Sequence, residues 1–327
     1  MKRIKTIAPK HSIIEEVPKP IINDDEILIR ITLVGVCMSE HYGWQHIVEG
    51  NERYFGHEPF GVVEAVGKNV KDFKVGDKVS GMWGSTLPGG GGMVEYVKIG
   101  PDEFCGVYHV PEGVREVDYI LEPLACMMSA VSKARIPMPG TEVCVVGAGY
   151  MGCGAISLLK MRGAYVVAVD PRPESRENAL KYGAYAAYSP EEMWEKFNNG
   201  ERYEVVMEWA ETDESLDLAV HLTKRCGQLC IGAYHTGAKR AIDMRWLNME
   251  AIDCLSTHPR EWEIECTGAI NAVRMLNDGR WDFKNIPTKV YPMSKFDQAQ
   301  EELETKFGKY MKAVIDMTKI DGEPYII

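Results

Sequence analysis

Three short segments of this chain carry residues of metal-binding type. Gly35-Val36-Cys37-Met38-Ser39-Glu40 supplies a thiol, Gly56-His57-Glu58-Pro59-Phe60-Gly61 an imidazole and a carboxylate, and Glu122-Pro123-Leu124-Ala125 a second carboxylate. Cys sulfur, His nitrogen and Glu oxygen are all zinc donors. Three protein donors plus an open position is the arrangement of a catalytic zinc rather than a structural one. Each residue also has an ordinary alternative. Cys37 can be a core thiol and His57 a buried, hydrogen-bonded histidine. Glu58 and Glu122 can form ion pairs, and Glu122, just before a proline, can cap the helix that follows.

A second constellation lies further along. Gly147-Ala148-Gly149-Tyr150-Met151-Gly152 follows the β-branched run 142–146 directly and opens a helical pattern. In that context the first Gly permits a tight turn, the second lets the backbone approach a pyrophosphate, and the third allows close helix–strand packing, with the helix N-terminus facing the anion. Asp170 ends the next apolar run, at the distance expected of a carboxylate that binds the adenosine ribose. A 2′-phosphate there meets like charge, which favours NAD over NADP. Arg172, two residues on, can cover such a phosphate; a solvated loop position is the preferred reading.

The elements that must position these groups fall into two patterns. Up to residue 120 or so, short β-branched runs (26–31, 61–67, 77–81, 94–99) are punctuated by Gly and Pro, which predicts a compact, mostly antiparallel β region. From there strands (142–146, 165–169, 203–209, 228–232, 251–256) alternate with helices (124–136, 151–162, 174–182, 213–225, 262–277), the pattern of a parallel sheet wrapped by helices. The tail returns to shorter pieces: a strand at 288–291, a Ser-capped helix at 294–306 and a strand at 311–317. The expected organisation is α/β, with a β-rich catalytic domain over 1–121, completed by 287–327, around a doubly wound domain over 122–286.

Composition narrows the function. A chain of 327 residues exceeds what one core usually spans, and a net charge of −11 without any basic cluster argues against nucleic acid. No apolar run is long enough for a membrane span, and Lys2, Arg3 and Lys5 are not followed by a signal-peptide core. Nine cysteines without paired spacing fit a reducing, cytoplasmic setting in which most of them are small buried hydrophobes.

Placed before the dinucleotide pattern, the Cys37 segment, the Gly-His-Glu segment with its following glycines, and the Glu-Pro-Leu junction resemble the medium-chain dehydrogenase family. Within it they are most similar to the zinc-dependent, sorbitol dehydrogenase-like polyol branch, over nearly the whole chain. The resemblance implies a GroES-like catalytic domain and a Rossmann domain. It implies Cys37, His57 and Glu122 as zinc ligands or near-ligands, with Glu58 behind the metal and able to enter its shell; which acid binds directly stays open. It further implies NAD as hydride carrier, a small alcohol or ketone as substrate, and a homodimer or homotetramer.

Ser39 matches the hydroxyl that takes the substrate proton. The family continues this relay with a His five residues after the Cys, where this chain has Tyr42; His41 lies one residue early. Members with a second, structural zinc carry a four-cysteine lobe, but residues 80–104 hold no Cys, so one zinc per chain is expected. Tyr42, Trp44 and Trp83 are candidate pocket residues or packing residues. His258 and Arg260 follow the last strand of the sheet, where an anionic or sugar-like substrate can reach them. Trp209-Ala210-Glu211-Thr212 stands where the family tends to have smaller residues. The rival readings are a zinc-free, NADPH-dependent reductase of the same superfamily and a non-catalytic dinucleotide-binding protein.

Overall fold

The computed structural model describes the chain except for residues 49, 84–90, 137, 238, 259 and 306–308. Most of the Gly-rich stretch after Trp83 therefore lies outside the described residues.

The chain opens with a hairpin of β1 (Lys2–Ala8) and β2 (His11–Glu16), followed by β3 (Ile27–Val36), α1 (Met38–Gln45), β4 (Pro59–Val66), β5 (Lys78–Gly81), β6 (Tyr96–Ile99) and β7 (Val107–His109). The middle runs through α2 (Leu121–Ser132), β8 (Glu142–Val146), α3 (Tyr150–Met161), β9 (Tyr165–Val169), α4 (Pro173–Tyr182), β10 (Ala186–Tyr188), α5 (Pro190–Asn198), β11 (Tyr203–Glu208), α6 (Asp213–Leu222), β12 (Thr223–Ile231), α7 (Met244–Met249), β13 (Asp253–Ser256) and α8 (Trp262–Asn277). It closes with β14 (Thr288–Pro292), α9 (Phe296–Thr305), β15 (Lys312–Asp316) and β16 (Tyr325–Ile326).

Two larger sheets follow from this order. The middle strands form a parallel sheet in the order β10-β9-β8-β11-β12-β13. Alternate residues of β8 serve opposite faces. Val143 and Val145 pack into one apolar layer, and Cys144 and Val146 into the other. Both faces are thus buried under helices, which is why these strands read as continuous apolar runs. The chain reverses direction across the sheet between β8 and β11, and such a switch point leaves a crevice beyond the strand C-termini.

The outer strands form the second sheet, β16-β14-β15-β3-β4-β5-β7, with β6 added to β3. The tail joins it: Ala313 of β15 stands opposite Val36 of β3. On its other side β3 pairs with β4, Val34 opposite Pro59. This register brings 36–37, 57–58 and 312–313 to one end of the sheet.

Some boundaries differ from the sequence reading. The helix expected at 124–136 starts one turn earlier, with the Leu121 N–H donating to Ser80 Oγ at 3.0 Å. Glu122 is therefore in the first helical turn rather than at a cap. The helix expected to reach 225 stops at Leu222, because Thr223 already pairs with Tyr203 in the parallel sheet.

Candidate metal centre and dinucleotide crevice

Cys37 is the residue before α1, at the end of β3, and His57 and Glu58 immediately precede β4. The Gly35 N–H donates to the Glu58 carbonyl at 2.9 Å, continuing the ladder past the end of the strand. As a result the Cys37 sulfur, one His57 nitrogen and one Glu58 oxygen all lie within 4.8 Å of one another, the one such cluster among the described residues. A zinc about 2.0–2.3 Å from each donor needs ligand atoms this close.

The side chains around this cluster prepare it for a cation. Glu40 Oε1 accepts from His57 Nδ1 at 2.8 Å and from the Gly56 N–H at 2.7 Å. This bond keeps the proton on Nδ1 and leaves the Nε2 lone pair for a metal. Burial opposes charge on His57, but the carboxylate of Glu40 and the sulfur of Cys37 outweigh it and hold its pKa well above the usual imidazole value.

Glu58, 1% exposed, forms an ion pair with the Lys312 ammonium, itself buried. Its carboxylate occupies the space a side chain on Gly35 would need: a Cβ there would stand 1.7 Å from Glu58 Oε2. Burial works against charge on Lys312, yet Glu58 and Cys37 keep it protonated. Glu122 stands outside the cluster. Its Oε1 accepts from Cys126 Sγ at 3.2 Å. Burial pushes its carboxyl up, and the His57 charge opposes the shift, so Glu122 faces the same pocket. The Ser80 hydroxyl ties the pocket's floor together, donating to the Pro59 carbonyl at 2.8 Å while accepting from Leu121 N.

The dinucleotide motif sits where β8 ends. Gly147 has φ +96°, and a Cβ there would lie 2.8 Å from Ala210 N. A Cβ on Gly152 would stand 1.9 Å from the Gly147 carbonyl, so the helix packs directly on the turn. At Gly149 the nearest atom to such a Cβ is Arg172 Nη2 at 3.9 Å, which leaves the backbone open to a ligand. Met151 packs on the apolar layer under α3. Tyr150 links the two sites: its ring lies 5.1 Å from Lys312 Nζ.

Asp170, 2% exposed, accepts from Ala148 N and from Arg172 N, Nε and Nη2, each at 2.9 Å. Arg172 is therefore not the solvated loop residue expected from the sequence. Its planar guanidinium matches the carboxylate in a two-point grip.

The remaining candidates separate. Ser39 Oγ donates to Cys37 Sγ at 3.3 Å. His41 does not stand in for the missing relay histidine. Two positions apart on a helix is about 200°, so Ser39 and His41 project from opposite sides of α1, and His41 Nε2 pairs with Glu304 on α9 at 2.9 Å. Tyr42 lies on the Ser39 side, half exposed, against Gly237 of the other domain. Trp44 and Trp83, each 1% exposed, are core residues, with Trp44 Nε1 donating to Asp297 at 2.8 Å. His258 stacks on Tyr234 (centroids 4.6 Å apart), and Arg260 lies 5.5 Å from the same ring. Burial, then Arg260, Lys133 and His57, push His258 down to about 4. It is neutral near pH 7 and within reach of the His57 charge. Glu40, Lys312 and Ser80 were not singled out from the sequence; the acid at 40, beside a candidate ligand, is the one signal that pointed to any of them.

Residues 23–112 match the family described as alcohol dehydrogenase GroES-like domain, and residues 151–261 match zinc-binding dehydrogenase. Together these cover more than half of the chain. The chain belongs to the zinc-dependent medium-chain dehydrogenases. Among curated relatives, this dehydrogenase is 26% identical to the probable D-xylulose reductase A of Arthroderma otae, over 94% of both chains. It is likewise 26% identical to the sorbitol dehydrogenase of Bacillus subtilis, over 81% of this chain and 86% of that one. L-idonate 5-dehydrogenase from Escherichia coli has the same fold, with a TM-score of 0.81 at 19% identity, over 96% of this chain and 97% of that one. No helix among the described residues is long and apolar enough to cross a membrane.

Proposed function

We propose that the protein oxidises a secondary alcohol of a polyol or sugar-derived substrate, or reduces the matching ketone, using one catalytic zinc and NAD. The observation that carries this reading is the cluster of Cys37, His57 and Glu58 donor atoms, joined through Lys312 and Tyr150 to the Gly147–Gly152 turn. The donor set suits zinc: a thiolate, and an imidazole whose free nitrogen is fixed by Glu40. Cys37 and His57 would hold the metal, and Glu58 or Glu122 would complete the set. Polyol chemistry is supported by relatives named for xylulose, sorbitol and arabinitol.

Zinc, when bound, would supply a Lewis acid that makes a substrate hydroxyl acidic, and NAD would supply the hydride acceptor. The protein's groups do the rest. Glu40 keeps His57 oriented. Lys312 offsets the Glu58 charge, which lessens the negative charge facing an alkoxide. Ser39, one turn of its hydroxyl from the Cys37 sulfur, takes the substrate proton. Tyr42, His258 and Arg260 rim the opening and receive the rest of the substrate.

NAD is favoured because a ribose diol that displaces an Arg172 donor can donate to Asp170 in its place, whereas a 2′-phosphate dianion meets the buried carboxylate. The division at 121 and 287 and a cytoplasmic homodimer or homotetramer complete the proposal; among the described residues the outer edge of β13 has no strand partner, which offers a surface for association.

The test is metal analysis of the purified protein together with NAD and NADP reduction against a panel of polyols, hydroxy acids and amino alcohols. About one zinc per chain and turnover of a polyol with NAD is the expected result. A zinc-free protein, or one that reduces activated double bonds instead, overturns it.

A further inference from the structure

Glu208 ends β11 with a carboxylate that is 0% exposed, at the switch point of the parallel sheet. Oε1 accepts from Ala210 N at 2.7 Å, Glu211 N at 2.8 Å and Ser215 Oγ at 2.9 Å; Oε2 meets His235 Nε2 at 2.9 Å. His235 lies beyond β12, on the neighbouring turn. Arg240 Nε approaches His235 Nδ1 at 3.3 Å. A guanidinium only donates, so Nδ1 accepts, and Nε2 carries the proton that goes to Glu208. The chain of bonds Arg240 to His235 to Glu208 thus has one direction and one tautomer.

Three further bonds staple the same turns. Glu211 Oε1 accepts from Thr236 N and Oγ1, at 2.8 and 3.1 Å, and Arg240 Nη2 donates to the Glu211 carbonyl at 2.7 Å. Both turns hold a non-glycine residue in the left-handed region, Glu211 at φ 64° and His235 at φ 50°. Such residues persist only where their surroundings over-determine them, and they gather where a ligand is gripped. Trp209 opens the first turn and reaches the second. Its ring would meet a Cβ on Gly232 at 2.7 Å, and its backbone closes on Gly147. Its indole N–H is shielded from water and has no acceptor among the described residues.

We propose that Glu208 is a positioning residue for the dinucleotide: acting through His235, it locks the turns 209–213 and 232–237 in the arrangement that receives the cofactor, with Trp209 held against the phosphate-binding turn. This rests on the dinucleotide reading above. A purely structural role, capping α6 through Ser215, needs only Oε1. The bond from Oε2 to the other turn is what the positioning role adds.

The test measures NADH dissociation constants by fluorescence titration, with thermal melts of the free proteins and separate KM and kcat values for the nucleotide. His235→Ala removes both bonds of the chain, and binding should weaken about tenfold, with KM rising more than kcat falls. His235→Gln can restore both bonds, its amide N–H to Glu208 and its carbonyl to Arg240, and should bind within about threefold of the unaltered protein. Unchanged binding in His235→Ala overturns the proposal, and so does equal weakening in both variants. If His235→Ala does not fold, Arg240→Met, nearer the surface, takes its place and should weaken binding several-fold; no change there overturns the proposal equally. Failure of the unaltered protein to bind NADH or NADPH sinks the dinucleotide reading itself, a different result.

Discussion

The metal pocket and the dinucleotide crevice are built by opposite means. The pocket draws single side chains from distant segments: Cys37 and Glu40, His57 and Glu58, Glu122, and Lys312 from near the end of the chain. The crevice is made largely of backbone shape within one stretch, from Gly147 to Asp170. The difference teaches where each is vulnerable. The pocket depends on charge compensation, so removing one partner strands another. The crevice depends on the space its glycines leave, so adding an atom is what damages it.

The sharpest way to break this comparison is to remove a donor. Cys37→Ala or His57→Ala should abolish zinc retention and lower turnover by about a thousandfold or more, while NADH binding stays near that of the unaltered protein. A parallel loss of NADH affinity would falsify the independence of the two sites. Next, Lys312→Met leaves the buried Glu58 carboxylate without its ion-pair partner, with the His57 imidazole as the neighbouring positive charge. The expected cost is about 3–5 kcal/mol in urea unfolding, and the double change with Glu58→Gln should recover most of it. Additive losses would show that the pair is not the source.

Gly147→Ala tests the other side. At φ +96° and with a Cβ 2.8 Å from Ala210 N, it should cost about 2 kcal/mol or more and remove nucleotide binding, leaving zinc content unchanged. Smaller is Glu40→Ala, expected to weaken zinc binding about 10–100-fold by releasing the His57 ring. Smallest is the pH response. His57 has a raised pKa in the metal-free pocket, held there by Glu40 and Cys37 against the effect of burial. Its contribution to metal-free stability is present below the unfolded pKa and fades as pH rises through the folded one. Zinc must displace that proton, so apparent zinc affinity should fall as pH drops, by about tenfold per unit below the folded pKa. A flat profile in competition titrations counts against the assignment of His57 as a donor.

The contrast also explains what could be read without coordinates. The strands at 142–146 and 165–169 and the helix at 262–277 match the structure to the residue, because their apolar runs and end signals are local. Helix α1 is not legible in the sequence. Its sequence, MSEHYGWQ, has no apolar stripe and includes a glycine; long-range bonds hold it, Trp44 to Asp297 and His41 to Glu304. The N-terminal hairpin was hidden by its charges, since Lys2, Arg3 and Lys5 obscure the inward Ile4 and Thr6. The pocket's candidate donors were legible as residue types in short motifs. Lys312 was not, because nothing in a single strand of the tail announces that register will set it beside Glu58. Arg172 is hidden for the opposite reason: its closeness to Asp170 in sequence does not reveal the grip between them.

The bare backbone at Gly35 carries one further consequence. Its missing methyl is the room in which the Glu58 carboxylate rests, so the two positions share a fixed volume. A bulkier residue at 35 requires a shorter one at 58, and the ammonium of Lys312 then loses its partner. These three sites should be free to drift through evolution only as a unit.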